Sequence, residues 1–188
     1  WFHRGHVLEF LGRRQEAYQD YNKAYEFDKN NALVIIAKAN MLLSDGKTQE
    51  SFEMFKKAAG IRGTSAQVKS EALTSASLVR RSQLAYMDEA VELSRQAVDA
   101  SPNFSPALAA YGTNLFFVES YDESVNYLKK SIEANPRISR NYLELGQVYR
   151  GLKNYQEAIR YIKMSITKAE NDNTILSEKA NSARKGIY

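Results

Sequence analysis

A chain of 188 residues, 44% hydrophobic and 26% charged, has the composition of an ordinary folded protein, and its 3 prolines and 9 glycines argue against long irregular linkers. The lack of cysteine excludes disulfides, thiolate metal sites and cysteine nucleophiles. A net charge of +4 is too small to point to nucleic acid, and no apolar run approaches the roughly 20 residues that cross a bilayer, so neither nucleic-acid binding nor membrane insertion is expected.

In chain order the dominant signal is internal repetition. Glutamate followed by a small residue recurs at Glu16-Ala17, Glu50-Ser51, Glu89-Ala90, Glu123-Ser124 and Glu157-Ala158, at spacings of 34, 39, 34 and 34 residues. A second small residue follows each pair at Ala24, Ala58, Ala97, Ser131 and Ser165, and a third precedes most of them at Gly5, Ala39, Gly112 and Gly146. Bulky residues lie between the small ones at Tyr21, Phe55, Leu128 and Ile162, with Ser94 the exception. This pattern predicts a pair of amphipathic helices per repeat. Small residues on facing helices let the two axes approach to about 8 Å, and bulky ones fill the space where the axes diverge.

The repeats are expected over 1–31, 32–65, 66–104, 105–138 and 139–172, with a capping helix over 173–188. That last helix has Ile175, Leu176, Ala180 and Ala183 as its apolar stripe. The recurring glutamate sits in the first turn of each second helix, where the dipole favours a carboxylate. Ser120 with Glu123 reads as a capping box, and Asn154 with Glu157 as a close variant. Repeat three carries five extra residues, either in its first helix at Ala66–Arg80 or in the turn at Ser82–Met87. The sequence starts at Trp1 inside a helical pattern, so a fragment of a longer protein is expected, and self-association through the cut first repeat is left open.

These residues resemble the tetratricopeptide repeat family. Repeat five matches its pattern at Tyr142, Leu145-Gly146, Tyr149 and Ala158, and departs from it at Ile162, Ser165 and Glu170. Repeat one matches at Trp1, Gly5, Ala17, Tyr21 and Ala24, with Lys29 in place of proline. The resemblance implies an all-α fold, a right-handed superhelical stack of antiparallel helix pairs whose concave face is lined by the first helices.

Little in the sequence speaks for catalysis. His3, His6 and Glu9 could be drawn as a metal site, but Glu9 drifts about 120° round the helix from His3, and surface histidines are the favoured reading. No phosphate loop, nucleophile elbow or metalloprotease motif is present. The chain is therefore read as a non-enzyme without cofactor or metal, a scaffold for protein–protein interaction. A substrate-docking or regulatory arm of a larger enzyme is the alternative.

Equivalent positions on the first helices give an expected inner lining. It comprises Phe2 and His6; Leu33, Ile36, Asn40 and Leu43; Val79; Thr113 and Phe116; and Arg140, Leu143, Gln147 and Arg150. The N-terminal part is apolar and the C-terminal part gathers arginine, which suits a protein or peptide segment with an apolar stretch and an acidic end. A subset of the family grips the C-terminal tail of Hsp70 and Hsp90 with Lys and Asn side chains. Phe2, His6 and Ala37 stand at those places here, and on the third helix involved Arg140 fits a Lys place but Glu144 reverses the sign at the Arg place, so no such tail is expected to bind.

Overall fold

The computed structural model describes the backbone of residues 1–185 and the side chains of residues 1–171 apart from Leu84. Among the described residues there are ten α-helices and no strand: α1 Phe2–Phe10, α2 Arg14–Phe27, α3 Ala32–Ser44, α4 Thr48–Gly60, α5 Ala66–Arg81, α6 Met87–Ala100, α7 Ser105–Phe117, α8 Tyr121–Ala134, α9 Ser139–Gly151 and α10 Tyr155–Lys185. The chain forms two compact units, Trp1–Ala110 and Tyr111–Tyr188.

Three hairpins, α3–α4, α7–α8 and α9–α10, close where the small residues were expected to meet. In the second unit, a Cβ built on Gly146 of α9 would lie 3.2 Å from the backbone nitrogen of Ile162 and 3.3 Å from the Ala158 carbonyl of α10. A Cβ on Gly112 would meet the backbone of Leu128 and Ser124 at 3.1 Å. In the first unit Gly5 lies under the ring of Tyr21, and the Ser51 hydroxyl donates to the Ala39 carbonyl at 2.9 Å. Tyr21, whose ring packs on Gly5 rather than where the axes diverge, and Phe55 are both fully buried. Each such side chain contributes about 2–3 kcal/mol through burial.

The turns share one device. Gly12 and Gly46 close the first two hairpins with φ of 73° and 77°, and Glu119 and Lys153 take the equivalent place in two later ones with φ of 63° and 60°. The following amide reaches back to the first helix in all four: Arg13 to Leu8, Lys47 to Leu42, Ser120 to Leu115 and Asn154 to Tyr149, at 2.8–3.0 Å. Glu119 and Lys153 thus occupy a conformation that costs an L-residue about 1 kcal/mol. Helix starts are capped by side chains at Asn31, Ser65 and Asn154. The expected box at Ser120 is not made: Ser120 adopts φ −82° and ψ 65° and its side chain gives no cap bond.

Repeat three absorbs its extra residues in two places. The burial of α5 matches that of α3 and α9 when Ser77 is set against Ala39 and Gly146. In that register Ala72 and Leu73 answer Val34 and Ile35, and Val79 answers Met41 and Val148. Four residues therefore lengthen the start of α5, and one enters the turn, where a 3₁₀ segment forms at Leu84–Tyr86. The same register puts Arg80 where α3 has Leu42. Its guanidinium lies 3.5 Å over the Phe52 ring and 4.4 Å over Tyr86, and its Nε makes a 2.7 Å charge contact with Glu89. Stacking and ion pairing together make a buried arginine tolerable at a core position.

A second buried charge sits in the first hairpin. Asp20 of α2 is 1% exposed and is held by Arg4 of α1 through bonds of 2.5 and 2.6 Å. The Arg4 hydrogen bonds hold its carboxyl below the usual range. At the other end, α10 runs unbroken through the stretch expected to cap the array, since no glycine or proline interrupts residues 155–185. Ile175, Leu176, Ala180 and Ala183 lie outside the described side chains.

Two sets of measurements follow from this packing. In chemical denaturation, Gly146→Ala is expected to lose about 1–2 kcal/mol despite its better helix propensity, because the helices must part. Lys153→Gly is expected to gain about 0.5–1 kcal/mol by relieving a positive φ. For Asp20 the folded carboxyl titrates below the unfolded one, so its stabilisation is present at neutral pH and fades as pH falls through and below about 4. Asp20→Asn is therefore expected to melt lower than the wild type at pH 7, with the gap narrowing in acid.

Candidate functional site

With the register settled, the outward row of each first helix can be read in each unit separately. In the first unit, α1 presents an aromatic cluster. Phe2 is half-buried, 4.6 Å edge-on to His6, and both rings approach Tyr21, at 6.2 and 5.6 Å. Glu9 accepts the Tyr21 hydroxyl at 2.7 Å. The buried environment and the Glu9 carboxylate together push the Tyr21 phenol upward from its ordinary value. Among the described residues no group of three His, Asp or Glu side chains is placed to hold a metal.

On α3, Leu33 and Leu43 are 43% and 40% exposed, and Asn40 lies between them in the open. Ile36 is not available to a partner: it is 4% exposed and belongs to the core cluster of Ile35, Phe52 and Leu73. Lying between two neighbouring hairpins, α3 buries most of its circumference. On α5, Val79 is also interior at 2%, because the added residues displace the row by one position. Leu78, 38% exposed, is the outward residue equivalent to Asn40 and Gln147. A cleft of about 360 Å³ opens beside Leu33, between the loops Asp28–Asn31 and Ile61–Ser65, with Val68 on its wall. A separate cleft of about 500 Å³ lies between α2 and α4 over Lys38 and Leu42. At its edge the Tyr25 ring has the Lys38 ammonium 4.3 Å from its centroid, and Lys57 donates to its hydroxyl at 2.9 Å.

In the second unit, Phe116 is half-buried, with its ring pressed on the backbone of Gly151. Phe117 and Tyr121, both exposed, flank it at 5.8 and 5.7 Å. Thr113, expected in the lining, is 7% exposed, with its hydroxyl 3.5 Å from Glu144. The same carboxylate takes Arg140 at 3.2 Å, so Arg140 brings a charge already matched. Leu143 is 37% exposed, and Gln147 and Arg150 are exposed beside it on α9. Among the described residues Arg150 forms no ion pair.

Three of the expected lining residues are thus interior, Ile36, Val79 and Thr113, while Leu78, Phe117 and Tyr121 are exposed residues that spacing alone did not bring forward. The 39-residue step held the signal for Leu78, but not the place of the insertion. The register is tested by a paired substitution. Leu78→Asp is expected to change stability by no more than about 0.5 kcal/mol, and Val79→Asp to cost about 3 kcal/mol or more in denaturant unfolding.

The sequence pattern of the tetratricopeptide repeat matches residues 1–31 and 139–167. No curated protein sequence matches the chain. Among solved structures, a thermophilic tetratricopeptide-repeat protein of Thermus thermophilus is similar over 97% of this chain and 96% of its own, at 18% identity and a TM-score of 0.72. The MamA protein of Desulfovibrio magneticus RS-1, from its residue 41 to its end, covers 90% of this chain and 93% of its own, at 15% identity and a TM-score of 0.66. YrrB, described as a tetratricopeptide-repeat protein with an unusual peptide-binding site, covers 95% and 90% at 19% identity and a TM-score of 0.60. The tetratricopeptide repeat's sequence pattern thus stands at 1–31 and 139–167, and the described residues have the helical-hairpin fold of tetratricopeptide-repeat proteins.

Proposed function

We propose that the chain is a non-catalytic scaffold that holds a protein or peptide segment on the outward rows of its first helices. The observation that supports this reading most is selective exposure of leucine. Leu8, Leu42 and Leu73, on the inward faces of α1, α3 and α5, are 5–7% exposed, whereas Leu33, Leu43 and Leu78 on the outward rows are 38–43% exposed. Apolar side chains left in water on the outward rows of neighbouring first helices suit a partner with an apolar stretch.

In the second unit the row carries Leu143, Gln147 and Arg150, and Arg150 is the cation placed to receive a carboxylate in a bidentate bond. With Arg140 engaged by Glu144, the preference for an acidic end rests on Arg150 alone. YrrB offers a precedent for peptide recognition on this fold. The tails of Hsp70 and Hsp90 do not suit the row: Phe2 and His6 stand where Lys and Asn would be needed, and Ala37 is 6% exposed.

The test is selection of a displayed-peptide library against the whole chain, followed by titration of the winners. Enriched peptides are expected to pair an apolar run with an acidic residue. Leu43→Asp with Leu78→Asp should weaken them at least tenfold, a loss of about 1.4 kcal/mol. Arg150→Glu should weaken only the acidic ones, and a peptide ending in Glu-Glu-Val-Asp should not bind. Equal binding by wild type and the double variant would contradict the assignment.

A further inference from the structure

The junctions between successive hairpins reuse one set of positions. At the first, Ala37 and Met41 of α3 share a core cluster with Ala17 and Tyr21 of α2, and Tyr18 packs against it. Arg14 locks the same junction through Asp45 at 2.7 Å. At the second, Ala72, Ala76 and Val79 of α5 share a core cluster with Phe52, Phe55 and Ala59 of α4. Between α8 and α9, in the second unit, Asn141 donates to the Ser131 carbonyl at 3.2 Å, and Val148 is 2% exposed. A junction therefore has two halves: an outer stripe on a second helix, and an entry stripe on the first helix that follows.

Each half also occurs once without its counterpart among the described residues. Val7 of α1 takes the place of Met41, Val79 and Val148, yet it is 57% exposed where they are 2–3%. Leu11, one turn further, is 60% exposed. On α10, Ile159 takes the place of Tyr18, Phe52, Val91 and Val125, and Ile166 that of Tyr25, Ala59, Val98 and Ile132. Those residues are all buried or half-buried, whereas Ile159 and Ile166 are 55% and 52% exposed.

We propose that these two faces take a second copy of the chain, head to tail, with the Val7–Leu11 stripe of one copy seated on the Ile159–Ile166 stripe of another. The argument for a second copy is continuity with the junctions inside the chain. The two stripes are the complementary halves of an interface this sequence already builds, and an unrelated partner would have to imitate one of them. On the Val7 side the nearby charge is matched, since Arg4 is held by Asp20. Such a contact is heterologous, so each copy keeps one free face and open chains grow with concentration.

Sedimentation velocity of the whole chain tests this. The wild type is expected to show concentration-dependent species beyond a dimer. Val7→Asp with Leu11→Asp blocks one face, and Ile159→Asp with Ile166→Asp blocks the other; each variant alone is expected to be monomeric. Their equimolar mixture should form a 1:1 dimer and nothing larger, because each supplies the face the other lacks. All four positions are exposed, so circular dichroism melts should match the wild type, and Val7→Gln and Ile159→Gln provide a milder pair should an aspartate variant melt early. A wild type that stays monomeric means that something else covers these faces and overturns the proposal. Self-association of either blocked variant also overturns it, by pointing to a symmetric pairing. Peptide binding to the outward rows is read separately, so either result leaves that function to its own test.

Discussion

α9 and α10 approach so closely at Gly146 that any side chain there would crowd the facing backbone, and the rest of the architecture follows from that approach. A Cβ there would lie 3.2 Å from the Ile162 nitrogen and 3.3 Å from the Ala158 carbonyl, tighter than ordinary contact. Gly112 meets the same restriction from Leu128 and Ser124, and Gly5 from Tyr21. Close approach seats a large residue directly against the glycine in three pairs, Tyr21 on Gly5, Leu128 on Gly112 and Ile162 on Gly146, and it fixes the rotation of each first helix about its own axis. That rotation decides which residues are interior and which are presented. Leu42 and Leu43 are adjacent in sequence, yet one is 5% exposed and the other 40%.

The irregular third hairpin shows how strongly this constraint holds. Its first helix is longer and its turn is rebuilt as a 3₁₀ segment, but the small side chain of Ser77 still takes the place of Ala39 and Gly146. Core positions change too: Ser94 stands where the other hairpins have Tyr21, Phe55, Leu128 and Ile162, and Arg80 replaces an apolar or aromatic residue. A charge there demands partners, and Phe52, Tyr86 and Glu89 supply them from α4, the added turn and α6. The insertion and the buried arginine are thus two aspects of one local solution.

Much of this was legible in the amino-acid order because the fold is written in small residues at a fixed interval. The helix pairs and the small-residue contacts at Ala39, Gly112 and Gly146 follow from spacing. The outward rows were less legible. Exposure at a row position depends on what the adjacent hairpin brings, and spacing within one repeat cannot show that. Ile36 and Thr113 occupy row positions but are covered, Thr113 by contact with Glu144. Val79 was misplaced for a different reason: five extra residues could be inserted at two places, and only burial along α5 distinguishes them. Arg140 looked like a free cation because its partner lies on its own helix, one turn away, and only the rotamers reveal the pair.

The most direct measurement is a methyl spectrum of leucine-labelled protein titrated with a peptide selected on the chain. Helix rotation set by the small-residue contacts predicts that the methyls of Leu33, Leu43, Leu78 and Leu143 move, while those of Leu8, Leu42, Leu73 and Leu145 stay. Shifts confined to the second helices, or spread evenly over inward and outward leucines, would contradict the account.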